Sequence, residues 1–135
     1  MEATDWDALK QQMDSPYGVM RLQCDQFEVM LAQVTDTRSK SWKTAVYVDG
    51  VWKGAWLLAN KAGEPMHEEA RRFLRRTSKA LYSRKEVEAY RKGCGKREAE
   101  RVAALRMVMF EPTWKSFTAL KKHLLANNAS IARLD

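Results

Sequence analysis

The sequence predicts an α+β fold, with an N-terminal antiparallel sheet followed by three to four helices packed on one sheet face. Apolar and polar residues alternate between residues 19 and 58, with a period near two. An Asp49-Gly50 pair sits between two β-rich runs. Beyond Asn60 the apolar spacing lengthens to three and four, the helical period. The 135 residues suit one domain, read as a short N-terminal helix (1–17), a sheet of three to four strands (18–59) and a helical part (64–128).

Trp6, Leu9 and Met13 recur at i, i+3 and i+7, so they predict a helix capped by Thr4 or Asp5 and stopped at Ser15-Pro16-Tyr17-Gly18. Met20, Leu22 and Cys24 alternate, Asp25-Gln26 offers a turn, and Phe27, Val29 and Leu31 alternate again. Thr35 to Lys40 reads as a polar loop. Asp-Gly suits a type I′ turn because both central residues need positive φ. The resulting hairpin pairs Val48 with Val51, Tyr47 with Trp52, Ala45 with Gly54 and Lys43 with Trp56. One face then carries Trp42, Val46, Val48, Val51 and Leu57, and the other Tyr47, Trp52 and Trp56.

A helix is expected from Pro65 through Lys79, buried through Met66, Ala70, Phe73 and Leu74, with its arginines toward the negative helix end. Ser83-Arg84-Lys85-Glu86 is a capping box that opens a second helix, with Val87 and Tyr90 inward and a break at Gly93-Cys94-Gly95. Lys96 to about Met109 reads as a third helix, buried through Ala99, Val102, Ala103 and Leu105. Thr113 or Trp114 opens a fourth, striped by Phe117, Leu120, Leu124 and Leu125 and closed at Asn127-Asn128, after which Ile131 docks.

The charge is unevenly placed. Residues 71–101 hold twelve cations against four anions, a net of +8, while the other 104 residues hold twelve against thirteen, so one segment accounts for the chain's +7. Such a segment attracts phosphates or acidic protein surfaces, although a solvated helix face and helix-end electrostatics also account for part of it. The excess positive charge argues against a mimic of DNA, and no apolar run reaches the ~18 residues of a membrane span. An acidic start without an apolar stretch argues against secretion and for a cytoplasmic protein, with Cys24 and Cys94 as free thiols.

The residues offer no motif for catalysis, a cofactor or a metal. Gly93-Cys94-Gly95-Lys96-Arg97 departs from a phosphate-binding loop: Tyr90 stands at the first glycine, Arg97 replaces the Ser/Thr, and the segment follows a helix. His67-Glu68-Glu69 fan out by ~100° each on a helix and do not converge. His123 reads as a surface or boundary residue, and no Ser or Cys has an identifiable base. The two His and two Cys lack the short spacing of a zinc site.

What remains is a basic segment with aromatic residues on the sheet. Arg71, Arg72, Arg75, Arg76, Lys79, Arg84, Lys85, Lys92, Lys96 and Arg97 are candidates to contact backbone phosphates or an acidic partner. Tyr47, Trp52 and Trp56 can stack bases, but large aromatics on a sheet usually face helices, so the two tryptophans are expected first in the core.

Several patches share a likeness. Cys24-Asp25 with Phe27, Val46-Tyr47-Val48-Asp49-Gly50 with Lys53-Gly54 and Trp56, Glu69-Ala70-Arg71-Arg72-Phe73, and Glu111-Pro112-Thr113-Trp114-Lys115-Ser116-Phe117-Thr118-Ala119-Leu120-Lys121 are four of them. With His123-Leu124 and Asn127 to Ile131, they resemble a group of small bacteriophage and prophage proteins of unknown function. The patches span residues 24–131, the basic region matching least. The resemblance implies a phage or prophage origin and a bacterial cytoplasm, and transfers no site. The expectation is a small non-enzymatic nucleic-acid-binding accessory protein, with DNA or RNA as partner. The alternative is an effector docking on an acidic surface of a host enzyme or defence complex. An uncovered sheet face would also serve as a homodimer seam.

Overall fold

The computed structural model describes residues 1–15, 18–36 (the Asp36 side chain excepted) and 41–134. The expected turn at Ser15–Gly18 and the loop through Lys40 fall partly outside these residues. Helix α1 spans Ala3–Met13 and buries Trp6, Leu9 and Met13, as their spacing requires. Its cap is Glu2, not Thr4 or Asp5, which already lie inside the helix; the Asp5 carboxylate accepts from the Glu2 amide at 2.9 Å.

Strands β1 (Val19–Cys24), β2 (Phe27–Asp36) and β3 (Ser41–Val48) form the expected antiparallel meander. Met20, Leu22, Cys24, Phe27, Val29, Leu31, Val46 and Val48 point to one side and are buried there. Each fully buried aliphatic side chain contributes about 1.5–3 kcal/mol relative to exposure. Asp49 and Gly50 have φ of 52° and 81°, and the turn closes through Val48 N–H to Val51 O at 2.8 Å.

The hairpin ends there. Pairing of Tyr47 with Trp52, Ala45 with Gly54 and Lys43 with Trp56 does not form, because the chain turns into a short 3₁₀ helix at Gly54–Leu57. The vacant edge of β3 is taken from far along the sequence. Strand β6 (Thr113–Trp114), reached through α2 (Glu68–Phe73), β4 (Arg75–Ala80), α3 (Arg84–Cys94), α4 (Lys96–Ala103) and β5 (Arg106–Glu111), pairs with Thr44 and Ala45. Pro112 O accepts from Val46 N–H at 2.8 Å. Of the expected apolar hairpin face, Val46 and Val48 are buried, whereas Trp42 and Val51 are exposed. Helix α5 (Phe117–Asn127) and strand β7 (Ile131–Arg133) complete a sheet of order β6-β3-β2-β1-β7.

The second half departs furthest from expectation. The helix predicted from Pro65 to Lys79 is only α2, since the apolar stripe ends at Leu74 and Thr77-Ser78 offer nothing to continue it. Arg75–Ala80 instead becomes a strand paired with β5. The helix predicted from Lys96 to Met109 stops at Ala103, which is exposed, because Met107-Val108-Met109-Phe110 is a β-prone run with a partner strand. Thr113 and Trp114 are extended, so Ser116 caps α5 by accepting from Ala119 N–H at 3.2 Å. Leu120 and Leu124 are buried, while Leu125 faces solvent.

One apolar core joins α1, α2 and α5 to the inner sheet face, with Trp56, Phe110 and Trp114 filling its margin. Helices α3 and α4 contribute nothing to that core. They form an arm at the end of the β4–β5 ribbon, held by Ala99 and Val102, which are buried outside the main core. Among the described residues no helix is long and apolar enough to cross a membrane.

Trp114 is 5% exposed and donates its indole N–H to Phe73 O at 3.1 Å, whereas Trp52 is 46% exposed. Trp114→Ala should cost about 3–5 kcal/mol in urea unfolding. Trp52→Ala should change stability by no more than about 0.5 kcal/mol. The reverse order would restore the extended hairpin.

Candidate nucleic-acid interface

The cations of residues 71–101 do not gather on one surface; the structure divides them by what they touch. Those nearest the core belong to the framework. Arg71 grips the Glu68 carboxylate through Nε and Nη2, both at 2.7 Å. Arg72 donates from Nε to Glu68 at 2.8 Å, and from Nη1 to Asp25 at 2.6 Å and to Asn128 Oδ1 at 3.2 Å. Its guanidinium also lies over the Phe27 ring. Arg75 donates to Thr113 O at 3.0 Å and to Glu111 at 2.5 Å, tying the base of the ribbon to β6.

Farther out the pairing thins. Lys79 reaches Glu111 at 3.3 Å, Arg91 reaches Glu88 at 3.9 Å and Lys96 reaches Glu100 at 4.0 Å. Such exposed pairs contribute about 0–1 kcal/mol and are readily exchanged for another anion. Arg101 is held by Glu98. Arg76, Arg84, Lys85, Lys92 and Arg97 are exposed and have no hydrogen-bond or ion-pair partner among the described residues.

Local folding explains where these free cations point. Ser83 and Glu86 form the expected capping box and start α3, which turns 100° per residue. Val87, Tyr90 and Cys94 therefore share one side, and Arg84, Lys85, Glu88, Arg91 and Lys92 the other. Arg84, Lys85, Glu88, Ala89 and Lys92 line one shallow concavity. Gly95, at φ 91°, makes the joint to α4, a conformation in which a Cβ would be strained. On α4, Ala99 and Val102 face inward, which leaves Lys96 and Arg97 outward. Residues 75–111 carry eleven cations and five anions, a net of +6 out of the chain's +7.

The three aromatic candidates are separated. Trp56 is 5% exposed and belongs to the core. Trp52, expected in the core, is instead exposed on the loop after the Asp49-Gly50 turn, because the hairpin strand that would have buried it does not form. Tyr47 lies half-buried on the outer sheet face opposite Met30. The ring surface of the arm comes from Tyr82 and Tyr90 instead, both half-buried. Tyr90 reads from the sequence as an inner-face residue, and Tyr82 gives no periodic signal.

Titratable groups elsewhere serve the fold. Burial pushes the Cys24 thiol up to about 12, with Asp25 adding to the shift, so it stays protonated. Burial likewise lowers the pKa of His123, whose Nε2 sits 3.0 Å from Arg71 O. Among the described residues no three His, Cys, Asp or Glu side chains gather as metal ligands. No family model matches the chain, nor does any curated protein or solved structure.

The Asp25 carboxylate is held below its ordinary value by the Ala129 amide first, then by Arg72 and the Ser130 amide. Hydrogen bonds from Arg71 and Arg72 lower Glu68 to about 2, although its side chain is 51% exposed and partly screened. The native state thus binds fewer protons than the unfolded chain below about pH 4.5. Urea midpoints should hold above about pH 5 and fall as the pH drops toward 2. Asp25→Asn should lower the midpoint at pH 7 and flatten that fall; an unchanged acid slope would contradict the role given to Asp25.

Proposed function

We propose that the chain is a small nucleic-acid-binding accessory protein of phage or prophage origin, without catalysis of its own, working in the bacterial cytoplasm. It would grip backbone phosphates with the α3–α4 arm. The observation that carries this reading is the set Arg84, Lys85, Lys92 and Arg97: exposed, unpartnered among the described residues, and on an element the core does not need. Unpaired guanidinium and ammonium groups on a solvated arm suit phosphate, which each can meet without first breaking an ion pair. Arg76, Lys79 and Lys96 extend this positive surface, while Arg71, Arg72 and Arg75 support the frame.

Contacts of this kind give affinity with little sequence discrimination and a steep dependence on salt. The full chain should bind mixed-sequence DNA or RNA oligonucleotides at low salt, log K falling linearly with log salt. Reversing Arg84, Lys85, Lys92 and Arg97 to Glu should remove most of the affinity and reduce the slope by about 3–4. Lys53→Glu, outside the arm, should leave both nearly unchanged. Binding that is absent at low salt or indifferent to salt overturns the proposal. A host protein captured through the same four cations after nuclease treatment would replace it with the acidic-partner reading.

A further inference from the structure

The arm holds an aromatic pair that the main core does not use. Tyr82 lies in the turn between β4 and α3, and Tyr90 on the inward side of α3. Their rings meet edge to face, with centroids 5.4 Å apart and planes at 74°. With Glu86, Ala89 and Cys94 they line an open groove of about 380 Å³, and neither tyrosine belongs to the core cluster. Leu81, next to Tyr82, is 47% exposed. Glu86 at the rim is engaged in the capping box, with its carboxylate facing the Ser83 amide.

Ala89 lines both this groove and the shallow concavity of Arg84, Lys85, Glu88 and Lys92, so unpartnered cations lie across the groove's rim rather than within it. Arg84 and Lys85 follow Tyr82 within the first turn of α3, and Lys92 lies two residues beyond Tyr90. An open aromatic surface beside free positive charge is complementary to a ligand with flat apolar rings and regularly spaced anions. A single-stranded nucleic acid has both, because its bases are unstacked and its phosphates accessible. A duplex presents the phosphates while keeping its base faces stacked.

We propose that the Tyr82–Tyr90 groove takes an unstacked base of a single-stranded nucleic acid, with Arg84 and Lys85 holding the adjoining phosphates. This rests on the phosphate-binding reading of the arm and narrows it to single strands.

The test titrates the full-length protein with one mixed-sequence 15-nucleotide strand and with its duplex at equal salt. Replacing both tyrosines by leucine keeps apolar bulk and removes the stacking face. Tyr82→Leu/Tyr90→Leu should weaken single-strand binding about 10-fold or more, and shift duplex binding by less than about 2-fold. The salt slope should be unchanged, and Tyr82→Phe/Tyr90→Phe should bind like the native chain. Equal weakening toward strand and duplex, or none toward either, overturns the groove while leaving the phosphate reading standing. Failure of the native chain to bind either at low salt overturns both.

Discussion

The Arg72 guanidinium holds together three parts of the chain that are remote in sequence. It reaches the β1–β2 turn through Asp25, helix α2 through Glu68 and the end of α5 through Asn128. Asp25 also accepts from the Ala129 and Ser130 amides at 3.0 and 2.9 Å, which sets the turn that delivers β7 to the edge of β1. Arg72 and Asp25 side chains are 15% and 20% exposed, so each depends on the other for hydrogen bonds that water would otherwise supply. Loss of either breaks the ion pair that ties the β1–β2 turn to α2 at the point where sheet and helices meet.

This constraint decides how the positive charge can be used. An arginine fixed by Glu68, Asp25 and Asn128 on one side of the core cannot also reach a ligand without undoing the fold. Arg75 is bound in the same way by Glu111 and Thr113. On the proposed function, the charge left for a partner lies beyond the base of the β4–β5 ribbon, where Arg84, Lys85, Lys92 and Arg97 have no partner among the described residues. Because that arm has its own small core around Ala99 and Val102, its outer face can change in charge without disturbing the sheet.

Much of the sheet and several helix ends were legible because their signals are local. Alternation in Met20-Leu22-Cys24 and Phe27-Val29-Leu31, the positive φ demanded by Asp49-Gly50 and the Ser83–Glu86 capping box each act within a few residues. Arg75-Arg76-Thr77-Ser78 has no such pattern, and becomes a strand because Val108 to Glu111 pairs with it. The Asp49-Gly50 hairpin failed to lengthen for a similar reason: Thr113–Trp114, more than sixty residues away, holds the edge it would have used. In the candidate site, the excess of charge was visible in composition. Its division was not, since the Arg72–Asp25 contact spans 47 residues. Tyr82 lacked any periodic partner that would have marked it as packing on Tyr90 at the arm.

Framework and solvent-facing cations lie side by side in sequence, and on the proposed function only the solvent-facing ones meet a ligand. Arginine Nε–Hε resonances of the full chain, followed by NMR during titration with a mixed-sequence single strand, test it most directly. Signals of Arg84 and Arg97 should shift with saturation, while those of Arg72 and Arg75 stay in place. Shifts centred on Arg72 and Arg75, or no shift at Arg84 and Arg97 under conditions of binding, would contradict it.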